Sequence, residues 1–110
     1  KAHGKIIYPF LGVRYTMVTK ELAEKEKLGR DYGAYVIGAG GETAVLPGSP
    51  AEKAGLKERD IILEVNGEII NLENSLASVI QKHQVGEEIS MKVFRDGNET
   101  ELKAVLEERK

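Results

Sequence analysis

A chain of 110 residues, 41% apolar and 31% charged, has the composition of one folded domain (1–110) that hides roughly two-thirds of its unfolded surface around a single core. Sixteen basic against eighteen acidic residues leave a net charge of −2, with no Lys/Arg run interleaved with aromatics, which argues against nucleic acid as a partner. Cysteine is absent, excluding disulfides and thiolate metal sites, and no apolar run approaches the roughly 20 residues that cross a bilayer, so direct membrane insertion is not expected.

The chain opens at Lys1 with neither Met nor a basic-then-apolar leader, and reads as an excised fragment, so that any targeting signal would lie upstream. The ordered core is expected over about residues 7 to 106, between frayed ends. After Gly12 the apolar and polar residues alternate, which predicts a strand over Leu11 to Thr16. Thr19 then precedes Lys20-Glu21-Leu22-Ala23-Glu24-Lys25, a capping residue, an early acid and good helix formers, predicting a short helix that stops at Leu28-Gly29. Ala34 to Ile37 reads as a strand, Gly38 to Gly41 as an exposed loop, and Thr43 to Leu46 as a return to extended backbone.

The fullest local punctuation lies in Pro47-Gly48-Ser49-Pro50-Ala51-Glu52-Lys53-Ala54-Gly55. Ser49 is placed to cap a one-to-two-turn helix, Pro50 to start it, Glu52 to complete a capping box, and Gly55 to end it in the left-handed region. Asp60 to Val65 predicts an apolar strand, and Asn66-Gly67 a tight hairpin turn into Glu68-Ile69-Ile70. A longer helix is predicted from Asn71 as cap through His83, with Leu72, Leu76, Val79, Ile80 and His83 on one stripe. Ile89, Met91 and Val93, then Leu102, Ala104 and Leu106, alternate around an Asp96-Gly97 turn, the pattern of a closing hairpin. This order of elements implies a small α+β domain with an antiparallel sheet.

Two stretches together carry a family resemblance. Ile7-Tyr8-Pro9-Phe10-Leu11-Gly12-Val13 is similar to the segment through which HtrA/Deg-type serine proteases pass from protease to PDZ domain, at the place of the x-Φ-G-Φ carboxylate-binding loop. Tyr32-Gly33-Ala34-Tyr35-Val36, Val45 to Ile62 and Val65-Asn66-Gly67 resemble the same family's "GA-V... V-PGSPA-KAGL--GD-I" signature. Arg59 departs from it where Gly is usual, and the stretch from Tyr35 to Val45 is longer, with Gly38 to Thr43 expected to be a tolerated insertion. The resemblance implies a PDZ-like, partly closed antiparallel β-barrel or sandwich capped by two or three helices. It also implies a peptide-binding role beside a linked protease domain, a periplasmic or cell-envelope location, and a parent able to form a homo-oligomer.

A peptide carboxylate needs converging N–H donors, and a bend at Gly12 allows close approach, so Leu11, Gly12 and Val13 are the expected donors beside Phe10. A strand edge from Val13 to Met17 can then pair with the ligand, and Leu11, Val13, Tyr15, Leu76, Val79 and Ile80 can form an aliphatic slot for an apolar last residue. Arg14 and Lys5 are weighed as electrostatic aids, against the more ordinary role of solvated charges. Affinity should be micromolar, about −8 kcal/mol. A bulky side chain at Gly12 is expected to weaken binding and leave stability nearly unchanged.

Catalysis by this segment is not expected. It has no G-x-S-x-G or G-N-S-G-G segment, its only imidazoles are His3 and His83, and no H-E-x-x-H motif accompanies them, so neither a metal nor a cofactor is called for. The competing readings are a PDZ adaptor in protein assembly, or a PDZ from a site-2 metalloprotease or a tail-specific processing protease.

Overall fold

The computed structural model describes residues 9–38 and 42–108. The strands are β1 (Pro9–Phe10), β2 (Tyr15–Met17), β3 (Ala34–Val36), β4 (Ile61–Val65), β5 (Glu68–Ile69), β6 (Glu88–Arg95), β7 (Asn98–Val105) and β8 (Glu107–Glu108), and the helices are α1 (Lys20–Glu26), α2 (Pro50–Ala54) and α3 (Leu76–Gln81). One antiparallel sheet runs β2-β3-β4-β6-β7 with β5 paired to β4, and β1 pairs with β8 in a separate two-stranded ribbon. The sheet does not close into a barrel, so β2 stands at an edge.

β4 explains how two clusters share one sheet. Ile61 and Leu63 pack with Val18 and Tyr35 beneath α1, whereas Ile62 and Val65 join the main core with Val36, Leu76, Val79, Met91 and Leu106. A break in the β4–β6 register between Ile62 and Glu64 shifts the alternation and returns Val65 to the Ile62 side. An apolar run that looks uniform therefore serves two faces.

The turns follow their residues. Asn66-Gly67 and Asp96-Gly97 both adopt positive φ at both positions, as a two-residue hairpin turn of this kind requires. Ser49 caps α2 by accepting from the Glu52 amide, Pro50 begins the helix, and Gly55 ends it at φ 99°. Glu52 reaches one residue further back than a capping box does, accepting from the Gly48 amide at 2.7 Å, because the Ser49 amide already donates to the Leu46 carbonyl.

Four expected boundaries are corrected. Leu11 and Gly12 are not in a strand, because their carbonyls are taken from outside the sheet; the strand is Tyr15–Met17, preceded by a single bridge between Val13 and Val45. That bridge is also all the pairing within the expected Thr43 to Leu46 strand, and residues 39–41 of the Gly loop lie outside the described residues. α1 stops at Glu26 with Lys27 in the left-handed region (φ 55°), which lets Leu28 turn back into the cluster beneath the helix while its amide bonds the Ala23 carbonyl. α3 is capped by Ser75, not Asn71. Asn71 spends its side chain on the Glu73 amide in a local turn, and Leu72, expected on the buried stripe, is 66% exposed.

Arg59, which replaces the usual glycine, reaches the turn by adopting φ 79° itself. Beside it, Asp60 is buried and takes two bonds from Arg95, at 2.7 and 2.6 Å, and one from the Lys57 amide at 2.9 Å, while Arg95 also donates to the Gly55 carbonyl at 2.8 Å. The carboxylate holds the guanidinium proton more firmly than usual. This pair locks the end of α2 to β6.

Candidate functional site: a groove between β2 and α3

The bend at Leu11-Gly12-Val13 is held from behind by the start of α2. The Ala51 amide donates to the Leu11 carbonyl at 2.8 Å, and the Leu46 amide to the Gly12 carbonyl at 2.9 Å, with the Ser49 hydroxyl directed at the same oxygen from 3.5 Å. In a planar trans peptide the N–H points opposite to the preceding C=O. Anchoring the carbonyls of Leu11 and Gly12 inward therefore turns the amides of Gly12 and Val13 outward. Neither amide, nor that of Leu11, has an acceptor among the described residues.

Gly12 is required by this arrangement twice over. Its φ is +90°, and a Cβ there would sit 2.2 Å from the Ser49 Cβ. The expectation that a bulky residue at Gly12 would spare stability is therefore not supported: the position is strained for any side chain, and the space is filled by Ser49.

Along β2 the backbone alternates. Arg14 bonds the Ala44 carbonyl and accepts from Ile37, and Val18 donates to Gly33, so these residues face the β3 side. Val13, Tyr15 and Met17, between them, present their backbone groups to the open edge.

An open groove of about 160 Å³ lies against this edge, walled by Pro9, Phe10, Leu11, Gly12, Val13 and Tyr15 on one side and Leu76, Ala77, Ile80 and Gln81 on the other. No wall residue is charged, so an anion here would be held by backbone amides. Two larger cavities lie elsewhere: one of about 460 Å³ among Val18, Thr19, Tyr32 and Leu72, away from the bend, and one of about 390 Å³ among Glu64, Ser90, Lys92, Glu99 and Glu101, a polar dish over the β4-β6-β7 face in which Lys92 is paired with Glu64 and Glu99.

Of the residues expected from sequence, Phe10, Leu11, Gly12, Val13, Tyr15, Leu76 and Ile80 are brought together as groove walls. Val79 is fully buried in the main core and is not among those walls. Arg14 points elsewhere, donating to the Thr43 carbonyl at 2.6 Å and approaching Glu42 at 3.7 Å. Lys5 and His3 lie outside the described residues. Ala77 and Gln81 were missed; they follow Leu76 and Ile80 by one position, and recognising Ser75 as the cap would have set that phase. His83 pairs its Nδ1 with Glu87 at 2.7 Å, and its Nε2 is buried with no partner among the described residues. The Glu87 carboxyl is held below its ordinary range, chiefly by the Gln84 amide and then by His83. Among the described residues no group of three or more His, Cys, Asp or Glu side chains could hold a metal.

A sequence model of the PDZ domain matches residues 9–106. The chain is 42% identical over 109 residues to a probable periplasmic serine endoprotease, DegP-like, of Marinomonas sp., covering 99% of this chain and 22% of that protein. It is 36% identical over 99 residues to the protein of the same description from Chlamydia trachomatis, covering 90% and 19%. The chain thus spans about a fifth of the length of these relatives. Among solved structures, the HtrA-type protease AlgW with a decapeptide superposes with a TM-score of 0.81 at 30% identity, covering 98% of this chain and 31% of that one. The HtrA3 PDZ domain bound to a phage-derived ligand shares the fold, with a TM-score of 0.73 at 21% identity over 94% of this chain and 89% of that one.

Proposed function

The chain belongs to the PDZ domain family, and on that premise we propose that the groove between β2 and α3 captures the free C-terminus of an extended polypeptide with an apolar last residue. The outward amides of Gly12 and Val13, turned away by the bonds that the Ala51 and Leu46 amides make to the carbonyls behind them, are the observation that carries this reading. The terminal carboxylate would accept from those amides and from Leu11. The preceding residues would extend the sheet along Val13, Tyr15 and Met17, and the last side chain would enter the slot between Phe10, Leu11, Val13 and Ile80. Hydrogen bonds to a charged acceptor supply about 1.5–3 kcal/mol each, and association itself costs several, which leaves micromolar affinity.

The relatives support a reading of the full-length context. We place this module in an HtrA/Deg-type protein of the cell envelope, where it holds unfolded or misassembled chains by their ends for a linked serine endopeptidase domain, or reports their presence to it. Binding regulates that domain only if the peptide contacts its active and resting arrangements differently.

The reading is tested with a random C-terminal peptide library in free-acid and amidated forms. The free acids should bind in the micromolar range and the amides at least about tenfold more weakly, a loss of roughly 1.4 kcal/mol or more. Equal binding of the two forms would remove carboxylate capture.

A further inference from the structure

The two walls of the groove are joined. The Tyr15 hydroxyl accepts a hydrogen bond from the Ala77 amide at 3.0 Å, across the space between β2 and α3. Ala77 is the second residue of α3, and its amide is one of the N–H groups that a helix start leaves without a partner in its own helix. Ser75 satisfies the next donor, Ser78, so Tyr15 and Ser75 together cap the helix. The phenol is thereby pinned rather than loose. On the β2 side the groove ends with it: Tyr15 is a wall residue and Met17, two positions on, is not.

Resting on the C-terminus reading above, we infer that Tyr15 is a specificity-determining residue that closes the groove beyond its first subsite and admits only a small residue third from the ligand's end. Register sets the position. A strand added antiparallel to β2 with its carboxylate at Gly12 and Val13 places its last residue beside Val13. Its third-from-last residue, two positions back and on the same face, falls beside Tyr15. A Gly, Ala or Ser there passes the ring. A Leu, Phe or Trp must break the Tyr15–Ala77 bond and swing the phenol aside, uncovering a helix-start donor.

The test uses free-acid hexapeptides that end in the same apolar residue and differ only at the third-from-last position, Ala against Leu or Trp, titrated into the wild type, Tyr15→Ala and Tyr15→Phe. The wild type should bind the Ala peptide at least about tenfold more tightly than the bulky ones, Tyr15→Ala should reduce that ratio to within about twofold, and Tyr15→Phe, whose ring is unpinned, should fall between. Tyr15→Phe keeps the ring volume, so it serves if Tyr15→Ala melts too early to titrate. A wild type indifferent to residue size, or discrimination undiminished in both variants, overturns the inference while leaving carboxylate capture standing. Failure of every free-acid peptide to bind the wild type would instead overturn the function on which it rests.

Discussion

The Ala51 amide donates to the Leu11 carbonyl at 2.8 Å, and this one bond decides which way the next amide faces. It links two stretches of sequence 40 residues apart, the Leu11-Gly12-Val13 bend and the Ser49-capped helix. The capped helix contributes little core of its own beyond Pro50 and Ala51. Its principal effect is to hold the backbone of the bend from behind, so that N–H groups project into the groove.

Gly12 and Ser49 should therefore behave as a coupled pair. Gly12→Ala forces a Cβ to 2.2 Å from the Ser49 Cβ at a φ of +90°, and is expected to destabilise the domain by about 2–4 kcal/mol. Ser49→Gly alone should cost only a few tenths, since Gly is a tolerable cap. Combined, the two should cost at least about 1 kcal/mol less than their sum, because removing the Ser49 side chain relieves the clash though not the φ strain. Urea unfolding of the four proteins in the cycle measures this; strict additivity would mean the bend relaxes without meeting Ser49.

Arg59→Gly should stabilise. Arg59 holds φ 79° in a turn where the left-handed region penalises a side chain by about 1–2 kcal/mol, against about 0.4–1 kcal/mol of extra unfolded-state freedom for glycine. A net gain of about 0.5 kcal/mol is expected, read as a rise in the urea midpoint at constant slope. A loss would show that the Arg59 side chain makes a contact worth more than the strain.

Asp60→Ala should be the most damaging change outside the hydrophobic core. It leaves the Arg95 guanidinium and the Lys57 amide without their buried acceptor, a loss of about 3–5 kcal/mol for breaking a buried pair from one side, at the lower end here because Arg95 is 30% exposed. Asp60→Ala with Arg95→Met should recover part of it. Thermal unfolding of both variants checks the order.

Glu87 gives the fold one acid-sensitive contact. Its folded-state pKa is lowered by the Gln84 amide and by His83, so it contributes stability that is complete above its unfolded value of 4.5 and is lost as pH falls through the lower folded value. Melting temperature should therefore drop more steeply for the wild type than for Glu87→Gln as pH goes from about 5 to about 3. Parallel curves would mean the contact does not persist in solution.

Much of this arrangement was legible before any coordinates, and the exceptions share a cause. Ser49, Pro50, Gly55 and both Asx-Gly turns announce themselves because each satisfies a local backbone requirement with its own residue type. Boundaries failed where a distant partner outbid the local pattern. Leu11 and Gly12 alternate like strand residues, yet their carbonyls go to the α2 start and to Leu46. Asn71 looks like a cap, but Ser75 lies nearer the turn that buries Leu76, and Asn71 closes a small loop instead. The site divided the same way. Bend and helix residues could be named from their motifs, whereas the bond from Ala77 to Tyr15 joins residues 62 positions apart and has no signature in either segment.

The most direct test follows the backbone ¹H and ¹⁵N resonances of Leu11, Gly12 and Val13 as a free-acid peptide with an apolar last residue is titrated against its amidated twin. The three amide protons should move downfield with the free acid, more than any others outside β2, and hardly at all with the amide. Equal shifts with both peptides, or shifts that bypass these three residues, would show that the outward-facing amides are not what holds the ligand.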